Sequence, residues 1–234
     1  MATDRTDRTA TDRPAVDHRS PDGARFERTV PGFGTVTIRP LDPAADAEVV
    51  HAWVDDERAR FWGMVGRTRE QVRETYEFVD SLETHHAYLV RHDGAPAALF
   101  QTYLPEHDPL GEHYPVQDGD LGVHLLVAPA DAPRRGYTHH LIAVLIAFLF
   151  ADPYVRRIVA EPDVRNEKSV ARLLRSGFEP GPQLDLAEKR AQLVLLTRDR
   201  AEALAAADRR VVAGDDGDLV AVPDGLAAGR LVQN

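Results

Sequence analysis

The sequence contains no cysteine. Disulfides, thiolate metal sites and a cysteine nucleophile are therefore excluded, in keeping with a reducing cytoplasm. Long apolar runs are also missing. The most apolar stretch, Leu141 to Phe150, is about half of the roughly 20 residues that a membrane span needs. Met1 to Thr29 is polar and has no apolar signal core. Basic residues are outnumbered, 28 against 38 acidic ones, for a formal net charge of −10. Such a surface repels phosphate backbones, so neither nucleic acid nor a membrane is an expected partner. Only a local basic patch can hold a phosphorylated ligand. A soluble, cytoplasmic protein acting on a small molecule is expected.

What is present suffices for one large domain, since 43% of the 234 residues are hydrophobic and can build a sizeable core. The tripeptide Thr-Asp-Arg occurs at Thr3–Arg5, Thr6–Arg8 and Thr11–Arg13. These first residues carry too little apolar surface to offset the entropy of ordering, so 1–30 reads as a disordered leader. Residues 31–200 read as the domain. Residues 201–234 form an extension, first Ala-rich and helical, then Gly/Asp-rich, serving as a swapped arm or a tail.

Order is expected to begin near Thr35, where Val36 and Ile38 alternate with polar residues as in a half-buried strand. Asp42-Pro43 reads as a helix start, and Thr68 with Gln71 as a capping box opening a second helix. Strands are expected around His86–Arg91, Ala97–Tyr103 and Leu121–Val127. A helix follows from near Gly136, apolar on every side from Leu141 to Phe150. Arg157–Glu161 reads as a strand, Asn166 as the N-cap of a helix ended by Gly177, and Gln192–Thr197 as a last strand. This order predicts an α/β fold with a mixed sheet and not a doubly wound one.

A strand running through a turn into a helix presents unpaired N–H groups and the positive helix end, where a pyrophosphate binds favourably. Arg134, Arg135 and Gly136 add charge and flexibility at that turn. The pieces around it read Gly119-Asp-Leu-Gly-Val-His124, Pro133-Arg-Arg-Gly-Tyr-Thr138, Val159-Ala-Glu-Pro-Asp163 and Asn166 to Phe178. Together they resemble the central half of the GNAT N-acyltransferases. Phe61-Trp62-Gly63-Met64, the Gly-Val-His-Leu-Leu strand and the Glu-Pro-Asp-x-x-Asn segment look most like the members that acylate lysine, hydroxylysine or hydroxycadaverine in siderophore biosynthesis.

The resemblance implies acyl-CoA, acetyl or succinyl, as co-substrate and a small amine or hydroxylamine as acceptor, with no metal. It places the thioester carbonyl on backbone N–H groups within Leu125, Leu126 and Val127, and the phosphates on Arg134, Arg135, Gly136, Tyr137 and Thr138. Asn166 would lie near the pantetheine arm, His124 and Asp163 would form an acid–base pair, and Trp62 would line the amine pocket. Each has a plainer reading beside it: a packed strand histidine, a turn carboxylate, an N-cap, a core tryptophan. Pro133 and Thr138 depart from the usual phosphate turn, and Leu173 stands where many relatives carry a leaving-group tyrosine. His107 and His113, with Asp108, Asp118 and Asp120, match no metal spacing. Two other functions remain open. Ala151-Asp-Pro-Tyr-Val155 with Glu161-Pro-Asp163 is similar to aminoglycoside 6′-N-acetyltransferases, and the altered turn suits a non-catalytic acyl-CoA-binding domain. Acyl length, acceptor and oligomeric state are left undetermined.

Overall fold

The computed structural model describes residues 25–130, 132, 134–214 and 230–232. Period-two apolar patterns become strands wherever both neighbours can pair. The N-terminal half contains β1 (Arg25–Val30), β2 (Gly34–Pro40), α1 (Ala47–Val54), α2 (Arg69–Ser81), β3 (His85–His92) and β4 (Ala95–Tyr103). After a loop come β5 (Asp120–Val127), α3 (Tyr137–Phe150), β6 (Arg157–Ala160), α4 (Glu167–Arg175), β7 (Glu179–Asp185), β8 (Arg190–Thr197), α5 (Arg198–Gly214) and β9 (Arg230–Val232). All strands join one sheet in the order β7-β8-β6-β5-β4-β3-β2-β1-β9. Among the described strands only β5 and β6 run parallel, and α3 makes the crossover between them.

Strand alternation divides the core between the two faces. On one, Val36, Val90, Phe100, Leu121, Val123, Ile158 and Val194 pack against α3, which is buried along most of its length. On the other, Leu89, Leu99 and Leu126 pack under Val50, Trp53 and Val54 of α1 and Val72 and Tyr76 of α2. The capping box at Thr68 and Gln71 forms in full. Gly177, at φ 96°, ends α4, and Phe178 N–H returns to the Leu173 carbonyl at 3.1 Å.

Three expectations are corrected. A strand already spans Arg25–Val30, ahead of Thr35, because Phe26 and Val30, each 1% exposed, and Arg28 between them alternate into the core, so that residues 25–30 belong to the sheet and not to the leader. Residues 1–24 of that leader lie outside the described residues, as do 215–229 and 233–234 of the C-terminal extension. α1 starts at Ala47, later than Asp42-Pro43 suggested. Asp42 instead closes a turn by accepting from Ala44 and Ala45 N–H, while Arg39 grips Asp46 through two bonds of 2.8 and 2.7 Å. β7 was hidden by Pro180, Gly181 and Pro182. Prolines are tolerated there because β7 is an edge strand, and its register shifts between Pro180 and Gln183.

One feature of the sheet prepares the site. β5 pairs with β6 only from Asp120 to Gly122, opposite Arg157 to Val159, yet β5 runs on to Val127. Beyond Ala160 the chain follows β8: Gln192 N–H bonds the Pro162 carbonyl and Val164 N–H the Arg190 carbonyl, both at 2.9 Å. The two parallel strands therefore splay, leaving one side of β5 without a strand neighbour.

Candidate active site

Ala128 N–H donates to the Ala97 carbonyl of β4 at 2.8 Å. Main-chain groups alternate along an antiparallel pair, so Leu126 and His124 also address β4, and Leu125 and Val127 address the open side. Of the three candidates for holding a thioester carbonyl, Leu125 and Val127 thus keep N–H groups facing the splay. Leu126 does not, and its side chain is buried under α1 and α2.

A short 3-10 helix, Glu57–Trp62, lies across this opening. Asp56 caps it through Arg58 N–H, and Gly63, at φ 78°, ends it. Arg58 Nη2 donates to the Val127 carbonyl at 2.7 Å and ties the segment to the free side of β5. Trp62 Nε1 donates to Tyr76 OH at 3.2 Å, which sets the indole edge-on to the His124 ring with centroids 6.2 Å apart. Trp62 therefore stands beside His124 while also packing on the α1–α2 core.

His124 meets a carboxylate, but not the expected one. Its Nε2 lies 2.6 Å from Oε1 of Glu161, the first residue after β6. Tyr103 OH donates to Oε2 of the same carboxylate at 2.6 Å, and Lys189 Nζ to Oε1 at 3.1 Å. Burial by itself pushes Glu161 up, but the adjacent His124 charge and hydrogen bond, then Lys189 and Tyr103, bring it down to about 2. Glu161 is thus an ionised acceptor and Nε2 carries the hydrogen between them; in the neutral imidazole Nδ1 is then the nitrogen able to take a proton. The His124 side chain is 39% exposed and that of Glu161 5%, so the imidazole is reachable from solvent and the carboxylate is not. Gly122 makes the arrangement possible, because the Tyr103 ring lies directly over it.

Asp163 is held elsewhere. Its carboxylate accepts from Arg165 Nε at 2.9 Å, Nη2 at 2.5 Å and N–H at 2.8 Å, and this pairing lowers its pKa. The expected His124–Asp163 pair is replaced by His124–Glu161 because the chain turns toward β8 at Pro162 and carries Asp163 with it, into a bridge with Ala191. Asn166 caps α4, accepting from Ser169 N–H at 3.3 Å.

On the other side of the splay, Gly136 takes φ 77° and α3 opens with no side-chain cap. Arg134 and Arg135 are exposed beside it, and the Arg134 guanidinium lies 5.4 Å over the Tyr137 ring. Thr138 falls in the first turn of α3. Pro133 lies outside the described residues. His140 packs on Phe33, ring centroids 4.8 Å apart. Leu173 packs at the margin of the α3 core. Asp120, the first residue of β5, is taken by Arg157 and Tyr114, and in the loop after β4 Asp108 caps a turn through Leu110 N–H. No three His, Asp or Glu side chains converge as a metal site among the described residues, nor is any described helix long and apolar enough to cross a membrane.

Comparison with known proteins gives this geometry a family. The acetyltransferase (GNAT) domain model matches residues 42–186, which span the 3-10 helix, the splay, the Arg-Arg-Gly turn, Tyr103, His124 and Glu161 but not Lys189. The chain belongs to the GNAT acetyltransferase family. Among curated members it is 28% identical over 190 residues to N(6)-hydroxylysine O-acetyltransferase of Escherichia coli, covering 76% of this chain and 57% of that protein. It is 27% identical over 168 residues to the lysine N-acyltransferase MbtK of Mycobacterium sp. (strain MCS), covering 71% of this chain and 68% of the relative. The match to the Escherichia coli protein thus spans little more than half of that relative. Among solved structures, aminoglycoside acetyltransferase AAC(6′)-Ib bound to coenzyme A and kanamycin superposes with a TM-score of 0.63 at 25% identity, covering 72% and 98% of the two chains.

Sequence reasoning missed Glu161, Tyr103, Lys189 and Arg58 in this GNAT site. Two signals were available. Glu161 heads the Glu-Pro-Asp motif at the end of the strand parallel to that of His124, and Lys189 is one of only two lysines in the chain.

Proposed function

We propose that this GNAT acyltransferase moves an acetyl or succinyl group from acyl-CoA to the side-chain nitrogen of a lysine, hydroxylysine or hydroxylated diamine, as in hydroxamate siderophore assembly. The observation that carries the reading is His124, reachable beside Trp62 at the mouth of the splay, with Nε2 fixed on buried Glu161 and Nδ1 left to accept a proton. The curated relatives named for lysine and hydroxylysine support that acceptor class.

In this mechanism the acyl-CoA phosphates lie at Arg134, Arg135 and the first turn of α3, at Gly136, Tyr137 and Thr138, and the pantetheine arm enters the splay near Asn166. The thioester carbonyl accepts from Leu125 or Val127 N–H, which stabilise the oxyanion as it forms. The acceptor nitrogen attacks the carbonyl carbon through its lone pair and a C–N bond forms. The proton on that nitrogen passes to His124 Nδ1. Collapse of the tetrahedral oxyanion breaks the C–S bond, and the thiolate leaves with the bonding pair. A hydroxylamine-type nitrogen, weakly basic, needs only a mild base. Trp62 offers an aromatic face to the aliphatic chain or ammonium end of the acceptor.

A second reading, aminoglycoside 6′-N-acetylation, is favoured by the 25% identity to AAC(6′)-Ib across almost all of that chain. Thiol release from acetyl-CoA and succinyl-CoA, each with N6-hydroxylysine, N-hydroxycadaverine, lysine and kanamycin, separates the two. Turnover with a hydroxylamine or lysine is expected; turnover with kanamycin alone would replace this reading with the second. His124→Ala is expected to lower kcat by roughly 10²-fold or more, and an unchanged rate would remove His124 from the chemistry.

A further inference from the structure

We infer that Glu161 positions His124 for proton transfer and that Lys189 is the counter-charge that sets how readily His124 accepts a proton. This rests on His124 acting as the base in the reaction proposed above. Three elements converge on one carboxylate. The imidazole of β5 and the ammonium that precedes β8 share Oε1, at 2.6 and 3.1 Å, while the phenol of β4 takes Oε2 at 2.6 Å. With both oxygens held, the carboxylate cannot rotate, and it holds the imidazole plane by Nε2. Glu161 therefore orients His124 from behind and does not itself face the acceptor.

The charges also compete. Glu161 favours the imidazolium, and Lys189, on the same oxygen, opposes it. Trp62 and Tyr103, both uncharged, stand against the His124 ring, Gln101 is its cross-strand neighbour on β4, Asp108 lies beyond, close enough to feel the His124 charge and 3.6 Å from His85, and Asp163 is engaged by Arg165. Removing Glu161 or Lys189 therefore shifts the protonation of His124 in opposite directions. A purely structural role for the cluster predicts no such opposition.

The test uses the full chain labelled with 15N-histidine and assigned by His124→Gln. Long-range 15N–1H spectra across pH read the tautomer and titration of His124 without substrate, and kcat/KM against pH reads the base in turnover. The wild type is expected to show the Nε2–H tautomer. Glu161→Gln, which leaves the Lys189 cation beside His124, should move the acidic limb to lower pH. Lys189→Met should move it to higher pH, and Asp163→Asn should not move it. If Glu161→Gln does not fold, Lys189→Met and the wild-type tautomer decide. An Nδ1–H wild type, shifts of the same sign in both variants, or a shift with Asp163→Asn alone would overturn the inference. Should none of the amines be acylated, the spectra still read His124, so failure of the substrate assignment is distinct from failure of the positioning role.

Discussion

Gly122 is the residue on which the cluster geometry turns, and Gly122→Ala tests it. A Cβ there would sit 2.1 Å from Tyr103 Cζ and 2.3 Å from Cε2, far inside the roughly 3.5–4.0 Å at which carbon atoms pack. The Tyr103 ring is 2% exposed and its hydroxyl is fixed on Glu161, so it cannot swing clear without breaking that bond. Overpacking a rigid site costs about 1–3 kcal/mol, and losing a hydrogen bond to a charged acceptor adds about 1.5–3 kcal/mol. The expected destabilisation is therefore about 2.5–6 kcal/mol, read by equilibrium unfolding in guanidinium chloride with the m-value unchanged. Because the contact is steric, it should vanish when the ring is gone. In a Tyr103→Ala background, Gly122→Ala is expected to cost less than about 1 kcal/mol, a large coupling in the double-mutant cycle. A Gly122→Ala protein within about 0.5 kcal/mol of wild type, or an equal cost in both backgrounds, would refute the placement of the ring over β5.

Other consequences follow from the same geometry. Glu161, with a folded pKa of about 2 against roughly 4.3 unfolded, adds stability that is complete above pH 5. About 3 kcal/mol of it is lost as the pH falls through 4 toward 2; acid unfolding of Glu161→Gln should lack that component, and an identical acid profile would contradict the assignment. Arg157 holds the fully buried Asp120 carboxylate through two bonds of 2.7 and 2.6 Å. Arg157→Ala is expected to cost about 3–5 kcal/mol by denaturant titration, and Arg157→Lys, which cannot reproduce the fork, should recover only part. Replacing Arg134 and Arg135 together by Ala should raise KM for acyl-CoA about 10-fold with little change in kcat; an unchanged KM would move phosphate binding away from this turn.

The element order was legible because its signals are local. The Thr68–Gln71 box, the apolar Leu141–Phe150 run and Gly177 each specify structure within a few residues, and each appears where expected. The mixed sheet followed from that order. β1 was lost because Arg28, itself buried, breaks the apolar alternation between Phe26 and Val30, and charged residues flank them at Arg25 and Glu27. The site was half legible for a different reason. His124 and Trp62 sit in motifs and could be named, but a side chain's partner depends on where two strands separate in space. His124 addresses Glu161 and not Asp163 because Pro162 and the β8 hydrogen bonds divert the chain two residues earlier than the motif suggests. Lys189 and Tyr103 arrive from the turn before β8 and from β4, too far along the chain for spacing alone to relate them to His124.

The short β5–β6 ladder makes the sheet mechanically two ribbons, β9-β1-β2-β3-β4-β5 and β6-β8-β7, with a seam between them only three residue pairs long. An ion pair and a hydrogen bond fasten that seam, Arg157 to Asp120 at one end and His124 to Glu161 at the other. A ligand arm bonded to the exposed amides of Leu125 would splice the ribbons above the last rivet. The seam is then the line along which the molecule should breathe. Amide exchange should be fastest at Leu125 and Val127 when the splay is empty and should slow there first when it fills.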